Sequence, residues 1–582
     1  MTLNVIDWAI IAAYFAVSLA IGLYYSKRAG KDVAEYFLSG RDLPWWLAGT
    51  SMVATTFAAD TPLAVAGFVA RNGVAGNWIW WNAALGSMLT VFFFARLWRR
   101  AGIMTDVEFA ELRYAGRPAA VLRGFRALYL GLPINFVIIG WVNLAMAKIL
   151  AVTMGWNRLT AVLACLAITG LYSALSGLWG VVVTDFFQFT FAMAGTTALA
   201  YFALRAPGVG GISGLREALP ASTFEFIPRV GADTGAGNLG PALALPVAAF
   251  FAYVGVQWWA SWYPGQEPGG GGYIAQRMMS ARDERHSFFA TLWFTIAHYC
   301  LRPWPWILVG LASLVLYPGL EDKEAGYVMV MRDFLPPGWR GMLLGAFFAA
   351  YMSTISTQLN WGTSYIVNDF YRRFIRPDGT EQHYVWVSRI ATILTMLGAA
   401  VVTFYLESIR QAWEFVLESG AGIGLVLILR WYWWRVNAWS EIAAMVAPAL
   451  GFLYLKLFTT IAFPYTLLYL VAWTTVCWLV VTFVTAPEPE AHLVAFYRRV
   501  RPGGPGWGPI ARLAGGPPPE EIGGLFLDWA AGWILIYAVL FGIGSFVLGA
   551  FTTGLACVFV AVVCTALIAR DLSRRGWKTI AQ

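Results

Sequence analysis

Long uninterrupted apolar runs constrain this chain more than any other feature of its sequence. About 20 consecutive apolar residues cross a bilayer as an α-helix, because a helix satisfies every backbone N–H and C=O group without water. Together with 59% hydrophobic and only 12% charged residues among 582, these runs predict an all-α polytopic membrane protein. We identify about fifteen such spans, at 6–24, 45–70, 77–98, 121–152, 159–180, 184–205, 241–263, 288–317, 339–367, 385–405, 411–431, 438–459, 463–485, 527–548 and 549–570.

Basic residues between the spans predict the orientation of the chain, because Lys and Arg gather in cytoplasmic loops. Threading the spans places every basic group on one side, which predicts the N-terminus outside and the C-terminus in the cytoplasm. The first run lacks a basic start and a cleavage site, so it is expected to be retained. The net charge of +8 reflects this bias and does not indicate nucleic-acid binding. The groups are Lys27, Arg28, Lys31, Arg41, Arg96, Arg99, Arg100, Arg113, Arg117, Arg277, Arg282, Arg285, Arg372, Arg373, Arg376, Arg570, Arg574, Arg575 and Lys578.

Two hydrophilic stretches interrupt the series of spans. Residues 206–240 are rich in Gly and Ala and predict an external loop. Residues 486–525 predict a cytoplasmic linker, whose first part has the pattern of a short amphipathic helix and whose Pro/Gly remainder is typical of a loop. The glycine run 269–272 lacks the residues of a phosphate loop and is interpreted as a flexible cytoplasmic turn.

Two of the spans are themselves interrupted. Asp60 and Pro62 break the second span, and the seventh span ends in a Pro/Gly-rich stretch over 257–273. The two breaks lie five spans apart, which indicates corresponding helices in two five-helix halves. Such a pair of discontinuous helices points to a midplane binding site in an inverted-repeat transporter, although a simple kink is the alternative for either helix.

A cluster of hydroxyl groups lies within the ninth span. Ser353, Ser356 and Thr357 share one face of a helix, with Thr354 about 100° round the axis. Buried hydroxyl oxygens need partners, and a sodium ion, which takes oxygen ligands, is one. The alternative is that these side chains bond back to their own helix or allow close helix contact.

These features together resemble the sodium/solute symporter family over roughly residues 1–485. The ninth span and its continuation match the eighth core helix of that family at Ala350, Ser353, Thr354, Leu359, Asn360 and Asp369. SGLWGVVVTDFFQ at 176–188 resembles the start of the fifth core helix, and YIAQR at 273–277 and residues 108–116 also fit.

The resemblance implies a leucine-transporter-type fold of 5+5 inverted repeats, with one extra helix before the repeats and about four after them. The chain is expected to divide into an N-terminal helix and cytoplasmic loop, a first repeat, an external loop, a second repeat, additional helices, a cytoplasmic linker, and a C-terminal helix pair with its tail. The corresponding ranges are 1–43, 44–205, 206–240, 241–432, 433–485, 486–525 and 526–582.

The resemblance also implies a main sodium site. Its ligands are the backbone carbonyls of Ala54, Phe57 and Ala350 and the hydroxyls of Ser353 and Thr354. An unwound helix frees carbonyls for a cation, so the chemistry is reasonable.

Some members of the family have a second sodium site, and the matching positions are Asp185, Ser353, Ser356 and Thr357. A carboxylate among hydroxyl groups suits a hard cation. Asp185 is alternatively a solvated gate residue or a hydrogen-bond cap.

For the solute, the resemblance to sugar-transporting members points to the residues Asp60, Thr61, Trp80, Trp81, Gln257, His298 and Gln411. The glutamate that binds sugar hydroxyls in those members is replaced near Trp80. Arg302 lies deep in an apolar run and carries a planar fork suited to a carboxylate, so with His298 it predicts an anionic or zwitterionic solute. The alternative is an internal ion pair of Arg302 with Asp60, Glu414 or Glu418.

The leading hypothesis is a sodium-coupled secondary active symporter that imports a small polar organic solute by alternating access, with sodium as the co-transported ion. The expected location is the cell membrane, which is the inner membrane in a bacterium. The expected partners are the solute and membrane lipid; no nucleic acid or obligate protein partner is indicated. The alternatives are a sugar symporter of the same family, a polytopic membrane enzyme or a channel. No loop offers a convincing catalytic motif, so the chain is not expected to be an enzyme.

Overall fold

The computed structural model describes residues 3–29, 38–103, 105–172, 178–230, 244–263, 265–515 and 520–575. Within these ranges almost every segment is helical, which confirms the all-α prediction. Ten described helices are long and apolar enough to cross a membrane, and one bent pair makes an eleventh. Four shorter apolar helices are also present in the described part. Residues 173–177, 231–240 and 241–243, assigned from the sequence to the end of a span, a loop and the start of a span, lie outside the described ranges.

The first half of the chain forms helices that we number in chain order. They are α1 (Val5–Ala29), α2 (Trp45–Thr55), α3 (Asp60–Asn72), α4 (Val74–Ala101), α5 (Glu108–Arg113), α6 (Gly116–Met154), α7 (Arg158–Tyr172), α8 (Leu178–Leu204) and α9 (Gly211–Ala218). Short 3₁₀ turns occur at Ser39–Arg41 and Ala221–Phe224, and a small parallel pair joins β1 (Arg229–Val230) to β2 (Ala244–Leu245). The stretch predicted as an external loop therefore contains a helix of its own.

The second half continues the numbering. Its helices are α10 (Val247–Ala260), α11 (Gly272–Ser280), α12 (Glu284–Leu316), α13 (Ala325–Phe334), α14 (Trp339–Ile375), α15 (Glu381–Tyr405), α16 (Ile409–Ser419), α17 (Ile423–Tyr432), α18 (Ala438–Phe458), α19 (Tyr465–Val484), α20 (Glu490–Val500), α21 (Gly508–Ala514), α22 (Gly523–Val547) and α23 (Phe551–Arg575). A 3₁₀ turn, Pro505–Trp507, precedes α21. The linker thus carries two short helices, where the sequence pattern indicated one.

Both interruptions read from the sequence are present. Helices α2 and α3 are bent by 64° at a break over residues 56–59. Helices α10 and α11 are separated by a break whose described residues, 261–263 and 265–271, are not helical. Helices α4, α6, α7 and α8 follow the first break, and α12, α14, α15 and α16/α17 follow the second. This order matches the predicted arrangement of two five-helix groups, each of which begins with a broken helix.

The glycine run at the second break, predicted from the sequence as a flexible cytoplasmic turn, is buried. Gly269 and Gly270 are buried and adopt φ angles of 83° and 80°, a backbone region that other residues rarely enter. Trp98 Nε1 donates to the Gly269 carbonyl at 2.7 Å. Glycine is required here because backbone passes directly against large aromatic side chains of α4, and composition alone did not distinguish this from a loop.

Helix α12 runs along both halves of the first broken helix. Its N-terminal half packs against α2 and its C-terminal half against α3. A π-helical turn, Ala297–Leu301, lies midway, and the Arg302 N–H donates to the Ala297 carbonyl at 3.2 Å. Such turns re-aim side chains and are frequent at functional sites. Here the turn carries His298 and is followed by Arg302, opposite the break.

Helix α14, which carries the hydroxyl cluster, lies between α1, α6, α8 and α2. Asn135 Nδ2 of α6 donates to the Gln358 carbonyl at 3.0 Å, and Tyr351 Oη donates to Asn143 at 2.7 Å. These bonds between α6 and α14 fix the rotation of α14 about its axis. That rotation turns Ser353 toward α8 and leaves Thr354 facing the centre of the molecule.

Two arginines that the sequence assigned to basic loops are buried. Arg113 is fully buried and donates to the carbonyls of Arg430, Trp433, Trp434 and Val436. Arg277 is 1% exposed on α11. The loop prediction was wrong at these positions because hydropathy registers a charge but does not register the carbonyl and hydroxyl partners that fold around it.

A buried charge network connects several helices near Arg113. Arg126 of α6 lies 3.7 Å from Glu267 of the second break and 3.4 Å from Glu441 of α18. Arg430 of α17 contacts the same two carboxylates at 3.7 and 3.3 Å. Paired in this way, the charges hold the second break against α6, α17 and α18.

The last helix pair packs on the first repeat. In α22, Trp529 Nε1 donates to the Leu85 carbonyl and Tyr537 Oη to the Trp81 carbonyl of α4, each at 2.9 Å. Gly544 of α22 receives the ring of Trp304 from α12. The preceding linker docks through Trp507, which is fully buried and donates to the Trp431 carbonyl at 2.7 Å.

Close contact between α2 and α12 predicts the effect of one substitution. A Cβ atom at Gly49 would lie 2.6 Å from the Ala290 backbone oxygen, so Gly49→Ala must push the two helices apart. Overpacking of this kind costs about 1–3 kcal/mol. We expect a lower apparent melting temperature for purified Gly49→Ala protein in detergent. Gly319→Ala is the matched control, because a Cβ atom there meets no described atom within 4 Å; equal melting temperatures would contradict the packing.

Candidate functional site

A central cavity of about 80 Å³ lies between the two helix breaks. Residues from both breaks and from α4, α6, α12, α14 and α16 line it. Six of the eight side chains that the sequence nominated for the solute are among them: Asp60, Thr61, Trp80, Gln257, His298 and Arg302. The lining also includes Thr56, Tyr263, Gln266, Gln358 and Trp413, which the sequence did not single out.

The structure places the other two nominated residues elsewhere. Trp81 is fully buried against Trp78 and Phe541 and is not part of the cavity wall, because neighbouring residues on a helix point in different directions. Gln411 is exposed in the first turn of α16, where its backbone N–H donates to the Ser408 hydroxyl at 3.1 Å. Trp413, two residues further on, faces the cavity instead.

Arg302 is 2% exposed and contacts its neighbours without a neutralising carboxylate. It donates to His298 Nε2 and to Thr56 Oγ1, each at 3.2 Å, and its guanidinium lies 5.4 Å from the centre of the Trp306 ring. Among the described residues it forms no ion pair. Of the predicted internal partners, Glu414 pairs with Arg410 at 2.7 Å and Glu418 accepts from the Thr466 hydroxyl. The internal-pair interpretation is therefore wrong for these two glutamates, and Asp60 lies beyond ion-pair distance.

Several buried oxygen atoms in the cavity wall lack a hydrogen-bond donor. Within the described ranges no protein donor reaches the side-chain atoms Asp60 Oδ1, Gln257 Oε1, Ser261 Oγ, Thr354 Oγ1 and Gln358 Oε1. Buried polar atoms in native proteins are almost always paired, so an unpaired set that lines one cavity indicates a place for a ligand or ion. The set offers acceptors, while Arg302 offers donors only.

The residues proposed for the main sodium site lie on both sides of the contact between α2 and α14. Helix α2 ends at Thr55, and the Ala54 carbonyl accepts from the Phe57 N–H at 2.9 Å within the break. On α14, Ala350 and Thr354 are buried. Thr55 and Thr56, at the end of α2, line the same cavity as Thr354 of α14.

Asp185 lies beside a separate, small cavity of about 20 Å³, which Ser353 and Ser356 also line. Ser353 Oγ donates to Asp185 Oδ1 at 3.2 Å, and Ser356 Oγ donates to the Ser353 carbonyl at 3.1 Å. Thr357 is half-buried on the same helix and is not in this wall. Three of the four nominated residues are therefore adjacent.

Two residues near Asp185 were missed by the sequence interpretation. Ser51 Oγ of α2 donates to Asp185 Oδ2 at 2.7 Å. Arg277 of α11 donates to Ser51 Oγ at 3.4 Å and to Thr55 Oγ1 at 3.3 Å. The i, i+4 spacing of Ser51 and Thr55 on one face of α2 was an available signal. Nothing in the sequence indicated that Arg277 would face them.

The chain is similar to known membrane transporters. The family model for the sodium:solute symporter family matches residues 36–448. A sodium/glucose cotransporter of Vibrio parahaemolyticus is 27% identical over 494 residues, covering 80% of this chain and 87% of the relative. A sodium/mannose cotransporter of Bos taurus is 28% identical over 458 residues, covering 74% and 72%.

Among solved structures, the substrate-bound outward-open state of a Na⁺-coupled sialic acid symporter has a TM-score of 0.65 at 17% identity, covering 84% of this chain and 99% of that chain. At this level of identity the likeness shows a shared fold. The number of spans and the orientation of the termini remain predictions.

The contrast between Arg302 and Arg126 predicts different effects on stability. Arg302 is buried without a paired carboxylate, so Arg302→Gln removes an uncompensated charge and should leave the apparent melting temperature unchanged or raised. Arg126→Gln leaves Glu267 and Glu441 with less neutralisation and should destabilise the protein by about 3–5 kcal/mol. Thermal unfolding of solute-free protein measures both. A large loss of stability in Arg302→Gln would indicate that Arg302 is held by an internal partner.

Proposed function

Because the chain belongs to the sodium:solute symporter family, whose model matches residues 36–448, we propose that it is a sodium-coupled symporter that imports a small polar organic solute by alternating access. Like its relatives, the chain is a transporter and not an enzyme. One observation supports the proposal most strongly: the first helix break and the unpaired Thr354 hydroxyl lie at the same central cavity.

Sodium is proposed to bind between α2 and α14. The ligands are the carbonyls of Ala54, Phe57 and Ala350 and the hydroxyls of Ser353 and Thr354. Thr354 Oγ1 has no donor within the described structure and is available to a cation. An ion at this position contacts both helices, so its binding favours the conformation in which they are adjacent.

A second sodium ion is proposed at Asp185, with Ser353 and Ser356 as the neighbouring oxygen ligands. The cavity of about 20 Å³ beside the carboxylate supports this proposal, as does the hydroxyl group of Ser51 at 2.7 Å. Thr357 remains a candidate only if α14 rotates. Arg277, which contacts Ser51, reduces the negative charge of the region and so favours a weaker site than the first.

The solute is proposed to carry a carboxylate together with hydroxyl or ammonium donors. Arg302 supplies a planar set of donors without a carboxylate of its own, which suits an anionic group. The unpaired oxygens of Asp60, Gln257 and Gln358 require donors from the solute. Trp80 and Trp413 supply flat apolar walls on which a small ring or chain can pack.

A sugar is the second candidate solute. The relatives from Vibrio parahaemolyticus and Bos taurus are named as glucose and mannose cotransporters. The same unpaired oxygens also suit sugar hydroxyls, and the aromatic walls suit a sugar ring. The two candidates differ in their dependence on Arg302, because a neutral sugar needs no cationic partner.

The sodium site makes the first functional prediction. Ser353→Ala with Thr354→Ala removes both hydroxyl ligands, and we expect sodium to lose its stabilising effect on the purified protein. The measurement is the apparent melting temperature in sodium chloride against choline chloride at equal ionic strength. Ser364→Ala is the control, because that hydroxyl lies on α14 and bonds to its own helix at the Trp361 carbonyl, at 2.8 Å. Sodium stabilisation retained in the double variant would refute the site.

Arg302 makes the second functional prediction. A thermal-shift panel of sugars, amino acids and hydroxy acids in sodium first identifies a solute, and uptake of the labelled compound into proteoliposomes then measures its KM. Arg302→Gln should raise the KM by about tenfold or more, corresponding to a charge-assisted contact of about 1.5–3 kcal/mol. An unchanged KM would favour the neutral sugar.

A further inference from the structure

A continuous hydrogen-bond chain joins the two helix breaks through the middle of α12. It starts at Gln266 in the second break, passes through the ring of His298 and ends at Thr56 in the first break. Gln266 Nε2 lies 3.1 Å from His298 Nε2, and His298 Nδ1 lies 3.0 Å from Thr56 Oγ1. Thr56 Oγ1 then donates to the Val53 carbonyl at 2.8 Å.

The donors and acceptors fix the direction of this chain. Arg302 has donors only, and it also approaches His298 Nε2, at 3.2 Å. The single lone pair of Nε2 is therefore shared between Arg302 and the Gln266 amide, which places the ring proton on Nδ1. Nδ1–H donates to Thr56 Oγ1, and Arg302 donates to the same oxygen at 3.2 Å. The Thr56 hydroxyl thus accepts two hydrogen bonds and donates one, which uses its full capacity.

The end of the chain lies next to the proposed sodium ligands. Val53 immediately precedes Ala54, and its carbonyl belongs to the last turn of α2, where helical partners run out. The Thr56 hydroxyl supplies the bond that the interrupted helix no longer provides. Arg302 also approaches the Val53 carbonyl, at 3.5 Å, a weaker contact. The position of this last turn therefore depends on how Arg302 and Thr56 are engaged.

We propose that Thr56 is the positioning residue that couples the solute to sodium, an inference that rests on the proposed function. A carboxylate bound to Arg302 draws guanidinium N–H groups away from Thr56 Oγ1 and His298 Nε2. The Thr56 hydroxyl then keeps its bonds to His298 and Val53 but loses the Arg302 donor, which changes the last turn of α2 beside the Ala54 carbonyl. Since coupling between two sites is reciprocal, sodium at Ala54 changes the availability of Arg302 by the same route.

Sodium affinity of the solute-free protein tests this proposal. Sodium chloride is titrated against choline chloride at constant ionic strength, with tryptophan fluorescence or the apparent melting temperature as the signal. Thr56→Val keeps the shape but removes the hydroxyl, and should weaken sodium binding about tenfold, within the range of measured coupling effects. Thr56→Ser keeps the hydroxyl and should stay within about twofold of the unmodified protein.

A double-mutant cycle distinguishes coupling from a merely structural role. Arg302→Gln should weaken sodium binding when Thr56 is present. It should have no further effect in Thr56→Val, because that variant already lacks the hydroxyl through which Arg302 acts on α2. Additive effects of the two substitutions, or an unchanged affinity in Thr56→Val, would overturn the proposal. Thr50→Val is the control on α2: its hydroxyl donates to the Trp46 carbonyl at 2.7 Å and accepts from Trp293 Nε1 at 3.0 Å, but it does not line the central cavity.

The measurement on the unmodified protein distinguishes a failure of the proposed sodium coupling from a failure of the proposed role of Thr56. If sodium produces no signal in it, the proposed sodium coupling is wrong and the role of Thr56 falls with it. If sodium binds to the unmodified protein and equally to Thr56→Val, the sodium site stands and only the role of Thr56 is wrong.

Discussion

Backbone groups in an apolar surrounding must find partners within the protein, and the two interrupted helices bring this requirement to the centre of the molecule. At residues 56–59 and 261–271 the regular i, i+4 bonds stop. Side chains of the breaks and of α12 supply some of the missing partners, and in the described residues several side-chain oxygens around one cavity remain without donors. The location of the cavity, the aim of α12 and the contact between α2 and α14 all follow from where those helices stop.

Buried charge is distributed unevenly across the structure. Arg113 donates to four backbone carbonyls, and Arg126 and Arg430 share Glu267 and Glu441. Arg302 instead contacts an imidazole, a hydroxyl and an aromatic ring, with no carboxylate at ion-pair distance among the described residues. Under the proposed function an anionic group of the solute pairs with this cation, which makes Arg302 the residue of the cavity that bears most directly on the solute.

The sequence predicted the helical architecture, the two breaks, the hydroxyl face of α14 and most of the cavity wall, because each depends on a local pattern. It failed where the outcome depends on packing between distant segments. Gly269 and Arg277 were assigned to loops because composition does not reveal the walls that close over them. Trp81 and Gln411 were wrongly assigned to the solute site because a match of sequence patterns does not fix the rotation of a helix about its axis. Ser51 and Asp185 are 134 positions apart in the chain, and the spacing of Ser51 and Thr55 on α2 was the one local signal of their contact.

The attachment of the C-terminal helix pair has a mechanical consequence. Helix α22 is bonded to α4 and packed on α12, whereas α18 contacts α17 and α6. Residues 485–523 join these two bodies. Within them α20 contacts both α4 and α17, and Trp507 bonds to α17. Any transport cycle that moves α4 and α12 relative to α17 must stretch or undock this segment. The length of this segment and the hydrogen bond of Trp507 therefore limit how far α4 and α12 can move away from α17.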